Sequence, residues 1–458
     1  MAGDVFVRGP AQTQPDVSLQ SPESAYSTAT ADAYPSPQYR KAGTLILLLA
    51  AVALCLKLTI AYTTLGTNDA VTFYTFARSL SENGLEWTYE RGVAWLPKGP
   101  IFNHPPMVAG FIEFIRELSH RQVFETNGVS FSFLLRLPGI LADFCVVAAL
   151  VGIARKDSQL GSSWWAIGLF ALSPVSLMVS GFHGNTDPVM VMFLFLAGAA
   201  CMVPSAFLCG LMFALSCQVK IIPLLFLPIF VCFWHHHRTL RSFILPFSLV
   251  LVLTWWEPLT TFPTLFIKNV LSYGSYWGLW GLTYGLRSTG SPAFSAMLVN
   301  QSPTQILIAT FLKILIIASV VMIAWRRRNL DGRGVLESIA LAWIVFFVFS
   351  PGVCAQYLVW PAPFLLMVSP RLFGIVTAAC SLFLFVFYNA ICHGLPWYLG
   401  ISTNALVSQW APWGLVAWAA FIVGLALHWK RIVSLATKSD VEAGLTNNQA
   451  RGRSVLAA

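Results

Sequence analysis

The sequence predicts an all-α protein that crosses a membrane many times, and three observations support this fold class. The chain of 458 residues is 57% hydrophobic and only 10% charged, whereas soluble domains carry about 25% charged residues. Several of its apolar runs reach the length of about 20 residues that spans a bilayer. The runs are continuous rather than alternating, so they predict helices and not the strands of a membrane barrel.

About twelve apolar runs mark the expected transmembrane spans. Basic residues stand at the ends of many of these runs, as in Arg40, Arg155 and Arg326. This positive-inside pattern places both termini in the cytoplasm and accounts for the formal charge of +9, so no nucleic-acid partner is expected. The expected spans are residues 44–62, 134–154, 164–180, 189–202, 206–217, 221–234, 243–256, 305–325, 335–349, 357–368, 372–389 and 412–429.

One transmembrane domain, residues 40–433, is expected between two polar tails. Residues 1–39 are rich in Ser, Pro, Ala, Gln and Thr without an apolar period, which predicts a disordered cytoplasmic tail. Residues 434–458 are predicted to form a second cytoplasmic tail. Two polar segments interrupt the domain on the outer side, a first outer loop at 67–133 and a second large one at 257–303.

The first outer loop is predicted to contain two amphipathic helices that lie in the membrane interface. Apolar residues recur at helical spacing from Asp69 to Leu80, and Pro106 begins a similar stretch that ends near Leu118. Asp69 is the first acid after the first span. An aspartate before a helix often caps its free N–H groups, so capping is the alternative to a chemical role for Asp69.

Outward-facing polar residues form the candidate site. A carboxylate beside an acceptor hydroxyl takes its proton, while cations and histidines hold a phosphate. Lys220 stands between two apolar runs, where it either snorkels or binds phosphate. The position of Arg287 after an aromatic stretch makes it the best candidate phosphate clamp. The candidates are Asp69, His104, His183, Asp187, Lys220, Arg287, Gln356 and Tyr357.

The cysteines and the histidine triplet do not predict a metal site. None of the nine cysteines stands in CxxC spacing, so they read as small buried apolar residues. The three histidines at 235–237 have no acidic partner nearby and belong to a basic flank. No metal and no other cofactor is expected.

Four motifs carry a resemblance to a known family. They are T-N-D ending at Asp69, H-P-P from His104, H-G-x-x-D from His183 and Q-Y-L-V-W-P from Gln356. In these motifs the chain resembles the GT-C superfamily of integral-membrane glycosyltransferases over about residues 44–429. The resemblance implies a GT-C fold with two loop helices parallel to the membrane and a polyprenyl-phosphate sugar as donor.

The family's proposed catalytic base is the acid of the first loop, so the resemblance carries this role onto Asp69. The remaining candidates would then surround the phosphate and sugar of the donor, although Arg287 matches no family motif. Many members have an acidic pair in this loop, whereas Asp69 is followed by Ala70 and Val71. For this reason no metal requirement is expected.

The predicted function is the inverting transfer of a hexose, mannose by resemblance, at the outer (periplasmic or lumenal) membrane face. The acceptor is a glycolipid, a glycan or a protein, and membrane lipids are the other partners. A bacterial inner membrane is expected, or the endoplasmic reticulum membrane in a eukaryote. One alternative is a transporter or lipid flippase, whose polar residues would spread across the membrane depth. Another is a non-catalytic assembly subunit, which would tolerate Asp69→Asn. A protein O-mannosyltransferase also remains open.

Overall fold

The computed structural model describes residues 37–93, 100–272, 276–296 and 301–433. Most of the described chain is helical, and two strands of two residues, β1 (Gly66–Thr67) and β2 (Leu399–Gly400), pair in parallel. The predicted tails lie almost wholly outside the described residues, at 1–36 and 434–458. Their disorder therefore stays a prediction.

The first half of the chain runs through eleven numbered α-helices. A π-helical segment, called the π segment below, follows α9 and occupies Leu177–His183. The helices are α1 (Pro37–Thr63), α2 (Asn68–Asn83), α3 (Leu85–Arg91), α4 (Pro106–Ser119), α5 (Gln122–Thr126), α6 (Phe131–Ala154), α7 (Ser158–Gly161), α8 (Trp164–Ala171), α9 (Pro174–Ser176), α10 (Asp187–Met202) and α11 (Ala206–Val219).

The second half alternates long helices with short turns. A second π-helical stretch lies at Ile267–Leu271, and 3-10 turns lie at Ile222–Phe226, Pro292–Phe294, Ala355–Val359, Asn404–Leu406 and Ala411–Trp413. The helices are α12 (Leu227–His236), α13 (Leu240–Thr261), α14 (Pro263–Phe266), α15 (Gly281–Ser288), α16 (Pro303–Arg326), α17 (Gly332–Phe349), α18 (Ala362–Val368), α19 (Pro370–Cys392), α20 (Val407–Trp410) and α21 (Gly414–Val433).

Eight helical segments of the described chain are long and apolar enough to cross a membrane, which confirms the predicted multi-pass all-α class. They are Arg40–Thr63, Phe131–Ala154, Trp164–His183, Leu240–Thr261, Pro303–Arg326, Gly332–Phe349, Pro370–Cys392 and Asn404–Val433. Four shorter apolar helices accompany them. The longest, α10, has 16 residues and spans about 24 Å, less than a hydrocarbon core of about 30 Å. The total of twelve spans stays a prediction.

Helix α17 forms the centre of the core. Apart from Glu337, its side chains from Val335 to Val348 are buried all round, as expected of a helix enclosed by other helices. It packs against α10, α16, α18 and α21. The chain leaves α17 at Ser350 and passes directly into the segment that carries Gln356, so the most buried helix positions one of the candidate site residues.

The two helices predicted in the first outer loop are present as α2 and α4. Pro105 is the N-cap of α4 and Pro106 its first residue, as the sequence predicts. The apolar spacing predicts a buried face of Met107, Phe111, Phe114, Ile115 and Leu118 on α4, whereas Ile112 is buried and Phe114 is 60% exposed. The reason is that α4 packs against α2 and α6 through its smaller residues, which allow closer contact.

Candidate functional site

The base of the candidate site is held together by Arg136, a fully buried arginine of α6. Its guanidinium donates hydrogen bonds to the backbone carbonyls of Ala61 (2.8 Å) and Thr64 (2.6 Å) at the end of α1. It also donates to the carbonyls of Gly181 (3.0 Å) and Phe182 (3.2 Å) in the π segment. Helix C-termini present unpaired carbonyls with partial negative charge, so Arg136 joins two helix ends, whose carbonyls offset part of its charge.

The π segment delivers His183 to the start of α2. The helix ends at Gly184, whose φ of +86° lies in the left-handed region that favours glycine. A Cβ atom on Gly184 would lie 3.0 Å from the Cβ of Ala70. Thr67 donates a hydrogen bond from its hydroxyl to the carbonyl of His183 at 2.8 Å. The glycine therefore serves close packing against α2.

Thr67, and not Asp69, caps helix α2. The Thr67 hydroxyl accepts a hydrogen bond from the backbone N–H of Asp69 at 3.3 Å. Asp69 lies in the first turn of α2, and its carboxylate makes its hydrogen bonds to other segments. The capping alternative for Asp69 is therefore wrong.

The carboxylate of Asp69 is held through one oxygen. Its Oδ2 lies 3.1 Å from Nε2 of His183 and accepts hydrogen bonds from the side-chain amides of Asn185 (3.0 Å) and Gln356 (3.3 Å). Its Oδ1 accepts no hydrogen bond from the residues that the structure describes, and the side chain is 34% exposed. One carboxylate oxygen is thus fixed and the other remains available to a substrate.

Asp69 is ionised at neutral pH. Removal of water by the surrounding side chains would raise its pKa, but the hydrogen bond and the charge of His183, the hydrogen bond from Asn185 and the positive charge of Lys220 outweigh this effect. The pKa of Asp69 is therefore below its ordinary value. An ionised carboxylate with a free oxygen is competent to accept a proton from a hydroxyl group.

His183 is itself buried between two partners. Its side chain is 5% exposed, and its Nδ1 lies 2.9 Å from the hydroxyl of Tyr388 in α19, which is fully buried. Because both ring nitrogens of His183 are engaged, the predicted contact between His183 and a phosphate has no free nitrogen to use. The structure instead makes His183 a support of Asp69.

Asp187 and Lys220 form a buried ion pair. The Lys220 ammonium lies 2.8 and 3.0 Å from the two carboxylate oxygens of Asp187, one of which also accepts a hydrogen bond from Trp360 at 2.5 Å. The ammonium lies 4.6 Å from the ring centre of Tyr357, within the range of a cation–π contact. Lys220 therefore does not snorkel, and its side chain is 11% exposed beside the candidate site.

His104 lies behind Asp69 in an aromatic environment. Its ring centre is 5.1 Å from that of Phe73 and 5.7 Å from that of Phe102, and its Nδ1 lies 3.4 Å from the carbonyl of Val219. Burial lowers the pKa of His104 to about 4. His104 is thus neutral at neutral pH, so it could hold a phosphate only as a neutral hydrogen-bond donor.

The second outer segment also reaches the neighbourhood of Asp69. Burial raises the pKa of Tyr276 in this segment and that of Cys354 after α17, and the negative charge of Asp69 contributes to both shifts. Arg287 belongs to the same segment, with its guanidinium 5.5 Å from the ring centre of Tyr284 and its aliphatic part against Gly278. The predicted role of Arg287 as a phosphate clamp stays a prediction.

A second charged cluster lies below the site, within the spans. Lys57 of α1 lies 2.6 Å from Oδ2 of Asp143 in α6. The hydroxyls of Ser176 and Ser180 each donate a hydrogen bond to the same oxygen at 2.5 Å. Lys57 is six residues before the end of α1, which corresponds to a depth of about 9 Å below that end. This cluster was not predicted, although single charges inside apolar runs are its signal in the sequence.

The chain matches no protein-family model and no curated protein sequence. Among the described residues, no group of three or more His, Cys, Asp or Glu is placed to hold a metal ion, and the expectation that no metal is required is untested. Any function assigned to the chain therefore depends on its motifs and on the geometry around Asp69.

Proposed function

We propose that this protein is an inverting glycosyltransferase with the GT-C fold, which moves a hexose from a polyprenyl-phosphate donor to an acceptor at the outer membrane face. The observation that carries the proposal is the carboxylate of Asp69, with one oxygen held by three hydrogen-bond partners and the other open. Mannose is the sugar that the family resemblance favours, and the acceptor is a glycolipid, a glycan or a protein.

In the proposed reaction Asp69 acts as the general base. The acceptor hydroxyl gives its proton to Oδ1 of Asp69 while its oxygen attacks C1 of the sugar from the side opposite the phosphate. The bond between C1 and the phosphate oxygen breaks, and its electron pair leaves with the polyprenyl phosphate. A positioned base of this kind contributes about 10²–10⁴-fold to the rate.

The leaving phosphate needs positive charge more than it needs a proton. Lys220 is a cation whose charge lowers the pKa of Asp69, and Asp187 is its ion-pair partner. In this proposal Lys220 and Arg287 face the phosphate, while Gln356, His183 and Asn185 hold the base.

An apolar groove supports a lipid-linked donor. It has a volume of about 690 Å³ and lies between α1, the π segment and α19. Phe182 and Trp397 line it, and the Trp397 ring centre lies 5.3 Å from that of Tyr388. A groove lined by apolar side chains of spanning helices suits a hydrocarbon chain. Phe182, one of the residues that line this groove, directly precedes His183 in the sequence.

The test uses purified protein in nanodiscs with radiolabelled polyprenyl-phosphate sugars and a lipid extract as acceptor. Wild type is compared with Asp69→Asn and with Glu82→Gln, which removes an exposed acid of the same helix α2 that pairs only with Arg78 at 2.7 Å among the described ion pairs. We expect transfer by wild type and by Glu82→Gln. Asp69→Asn should lose about 10²–10⁴-fold of the rate while donor binding persists.

Two results would contradict this proposal. Transfer that survives in Asp69→Asn would remove Asp69 as the base. Transfer that is absent with every donor and acceptor would remove the assignment as a glycosyltransferase.

A transporter or lipid flippase is the second candidate, and the Lys57–Asp143 pair is the observation that favours it. Polar residues that line a transport path are expected at several membrane depths, and this pair lies deeper than Asp69. Proteoliposomes loaded with labelled lipid or sugar separate the two functions. Flux that is lost in Asp143→Asn but retained in Asp69→Asn would favour transport.

A further inference from the structure

Four residues form an enclosed cluster beside Asp69, namely Asp187, Lys220, Tyr357 and Trp360. We propose that Trp360 is a positioning residue, which acts through Asp187 and holds the Lys220 ammonium where it meets the phosphate group of the donor. This inference rests on the proposed function, because it names the part of the chain that presents Lys220 to the polyprenyl phosphate.

The cluster lies next to the proposed base because two short segments contact both. Asn185 donates a hydrogen bond to Asp69 at 3.0 Å. Two residues later, Asp187 lies 2.8 Å from the Lys220 ammonium. In the 3-10 turn after α17, Gln356 donates to Asp69 at 3.3 Å, and the residue after it contributes the aromatic ring that faces Lys220. A ligand bound at Asp69 therefore lies beside Lys220, whose charge contributes to the lowered pKa of Asp69.

Lys220 is the member of the cluster that an anion can reach. Asp187 is fully buried and Trp360 is 1% exposed, whereas the Lys220 side chain is 11% exposed. An ammonium group has three N–H donors. In the described part of the chain, the hydrogen bonds of the Lys220 ammonium go to the two oxygens of Asp187 alone. The third donor is therefore left for a phosphate oxygen.

Trp360 supplies Asp187 with a second, neutral donor. Its indole N–H donates to Oδ1 of Asp187 at 2.5 Å, and its ring stacks on Tyr357 with ring centres 3.9 Å apart. The ring centres of Tyr357 and Trp360 lie 4.6 and 5.4 Å from the Lys220 ammonium, within the range of cation–π contacts. Trp360 therefore contacts both partners of the ion pair.

The hydrogen bond from Trp360 decides how strongly Asp187 competes with a phosphate for Lys220. A buried carboxylate with too few donors is costly, so an Asp187 that had Lys220 as its only partner would hold the ammonium tightly. The indole N–H meets part of this requirement. The ammonium is then shared between Asp187 and the phosphate, while the two stacked rings fix its position.

The first experiment measures binding and does not require sugar transfer. The full chain in nanodiscs is titrated with polyprenyl phosphate and, separately, with polyprenol, which has the same chain without the phosphate. Trp360→Phe keeps an aromatic ring and removes the indole N–H. We expect its Kd for polyprenyl phosphate to rise about tenfold, as for the loss of one hydrogen bond to a charged group. Its Kd for polyprenol should stay unchanged.

Trp343→Phe is the matched control, because Trp343 is fully buried and its ring centre lies 5.2 Å from that of Trp360. Its indole nitrogen has no hydrogen-bond partner among the residues that the structure describes. The same change of side chain at this position removes no donor from Asp187, so both Kd values should equal those of wild type.

A variant that keeps the shape of the ring separates the hydrogen bond from the packing. Replacement of Trp360 by benzothienylalanine puts a sulfur atom in place of the N–H and leaves the two fused rings. It should weaken the binding of polyprenyl phosphate as Trp360→Phe does, with polyprenol unaffected. Thermal unfolding midpoints identify the variants that are folded.

A double variant tests whether Trp360 acts through the ion pair. Lys220→Met combined with Asp187→Asn removes both charges together, so neither is left buried without its counter-ion. This double variant should bind polyprenyl phosphate more weakly than wild type. In its background, Trp360→Phe should cause no further change.

Three results would overturn the inference. The first is a folded Trp360 variant that binds polyprenyl phosphate as tightly as wild type. The second is an equal loss of affinity for polyprenol, since a general disturbance of packing would affect both lipids. The third is a further loss on Trp360→Phe in the background of the double variant.

The two proposals fail separately. Binding that changes as expected, without transfer of sugar from any donor, would retain the role of Trp360 and remove the proposed function. Transfer that depends on Asp69, together with unchanged binding in the Trp360 variants, would do the reverse.

Discussion

Asp69 and Asp143 are held in similar ways and differ in what holds them. Each carboxylate has three partners on Oδ2, and each depends on the region of the π segment for at least one of them. Asp143 takes hydrogen bonds from Ser176 and Ser180 and an ion pair from Lys57. Asp69 instead meets His183 and the amides of Asn185 and Gln356.

The two carboxylates differ in the charge of their partners more than in the number of their hydrogen bonds. Lys57 lies 2.6 Å from Asp143, whose side chain is 14% exposed, so this carboxylate is neutralised and enclosed. Asp69 has no lysine or arginine in contact among the described residues and is 34% exposed. The first arrangement joins helices to one another, whereas the second leaves one carboxylate oxygen of Asp69 without a hydrogen bond from the described residues, as the proposed base requires.

The largest predicted effect comes from breaking the enclosed ion pair. Lys57→Met leaves Asp143 buried without its counter-ion, which should cost about 3–5 kcal/mol of unfolding free energy. The measurement is unfolding by SDS in mixed micelles. Lys313→Met is the control, because this lysine of α16 is exposed, and it should leave the unfolding free energy nearly unchanged.

The double variant Lys57→Met, Asp143→Leu sharpens this prediction. Replacement of both partners by apolar residues removes the uncompensated charge, so most of the lost stability should return. A double variant that is no more stable than Lys57→Met would mean that Asp143 does more than pair with Lys57.

The next effect concerns pH and the neutral histidine behind Asp69. The pKa of His104 is about 4 in the folded protein and 6.5 in the unfolded chain. Above pH 6.5 the His104 side chain is neutral in both the folded and the unfolded chain. Between pH 6.5 and about 4 only the unfolded chain binds the proton, so the folded protein should lose about 3 kcal/mol of stability over this window.

His104→Gln should abolish this part of the pH dependence, and His120→Gln should not, because His120 is exposed in the same loop. Thermal unfolding midpoints at a series of pH values provide the measurement. An unchanged pH dependence in His104→Gln would show that the destabilising proton binds elsewhere.

Much of the neighbourhood of Asp69 was predictable, because short motifs mark places where the chain leaves the membrane. Asp69, His183 and Gln356 were selected from three distant motifs, and the structure brings them together. The helical period predicted α2 and α4. These features depend on local sequence, namely on apolar spacing and on the residues at helix ends.

The remaining features depend on which helices are neighbours, and the sequence does not show this. Tyr388 reads as one aromatic residue of an apolar run, and only the contact between α19 and the π segment gives it a role. The pairing of Lys57 with Asp143 likewise depends on which helices are neighbours. The enclosure of Asp187, Lys220 and Tyr357 by neighbouring helices has the same origin and was not predicted.

A smaller effect should follow from removing one neutral donor at each carboxylate. Gln356→Leu takes one hydrogen bond from ionised Asp69, and such bonds are worth about 1.5–3 kcal/mol. The lowered pKa of Asp69 should then rise, because the ionised form loses a donor. Since the base works above its pKa, the acid limb of the transfer rate should move to higher pH by the same amount.

Ser180→Ala is the matching variant at Asp143. It removes one donor while Lys57 remains, so it should reduce stability and leave the acid limb of the rate unchanged. A shift of the acid limb in both variants would show that the two carboxylates titrate as one system, and the distinction between them would fail.

The smallest effect tests whether the groove binds the lipid chain of the donor independently of the two carboxylates. Ser381→Trp fills the groove, and Ser319→Trp is its control, since both serines donate to the carbonyl four residues earlier at 2.7 Å. KM for a long-chain donor should rise about tenfold, or about 1.4 kcal/mol, with kcat and a short-chain donor unaffected. A fall in kcat with both donors would mean that the groove and the base are coupled through the π segment. An unchanged KM would remove the groove as the binding site of the lipid chain.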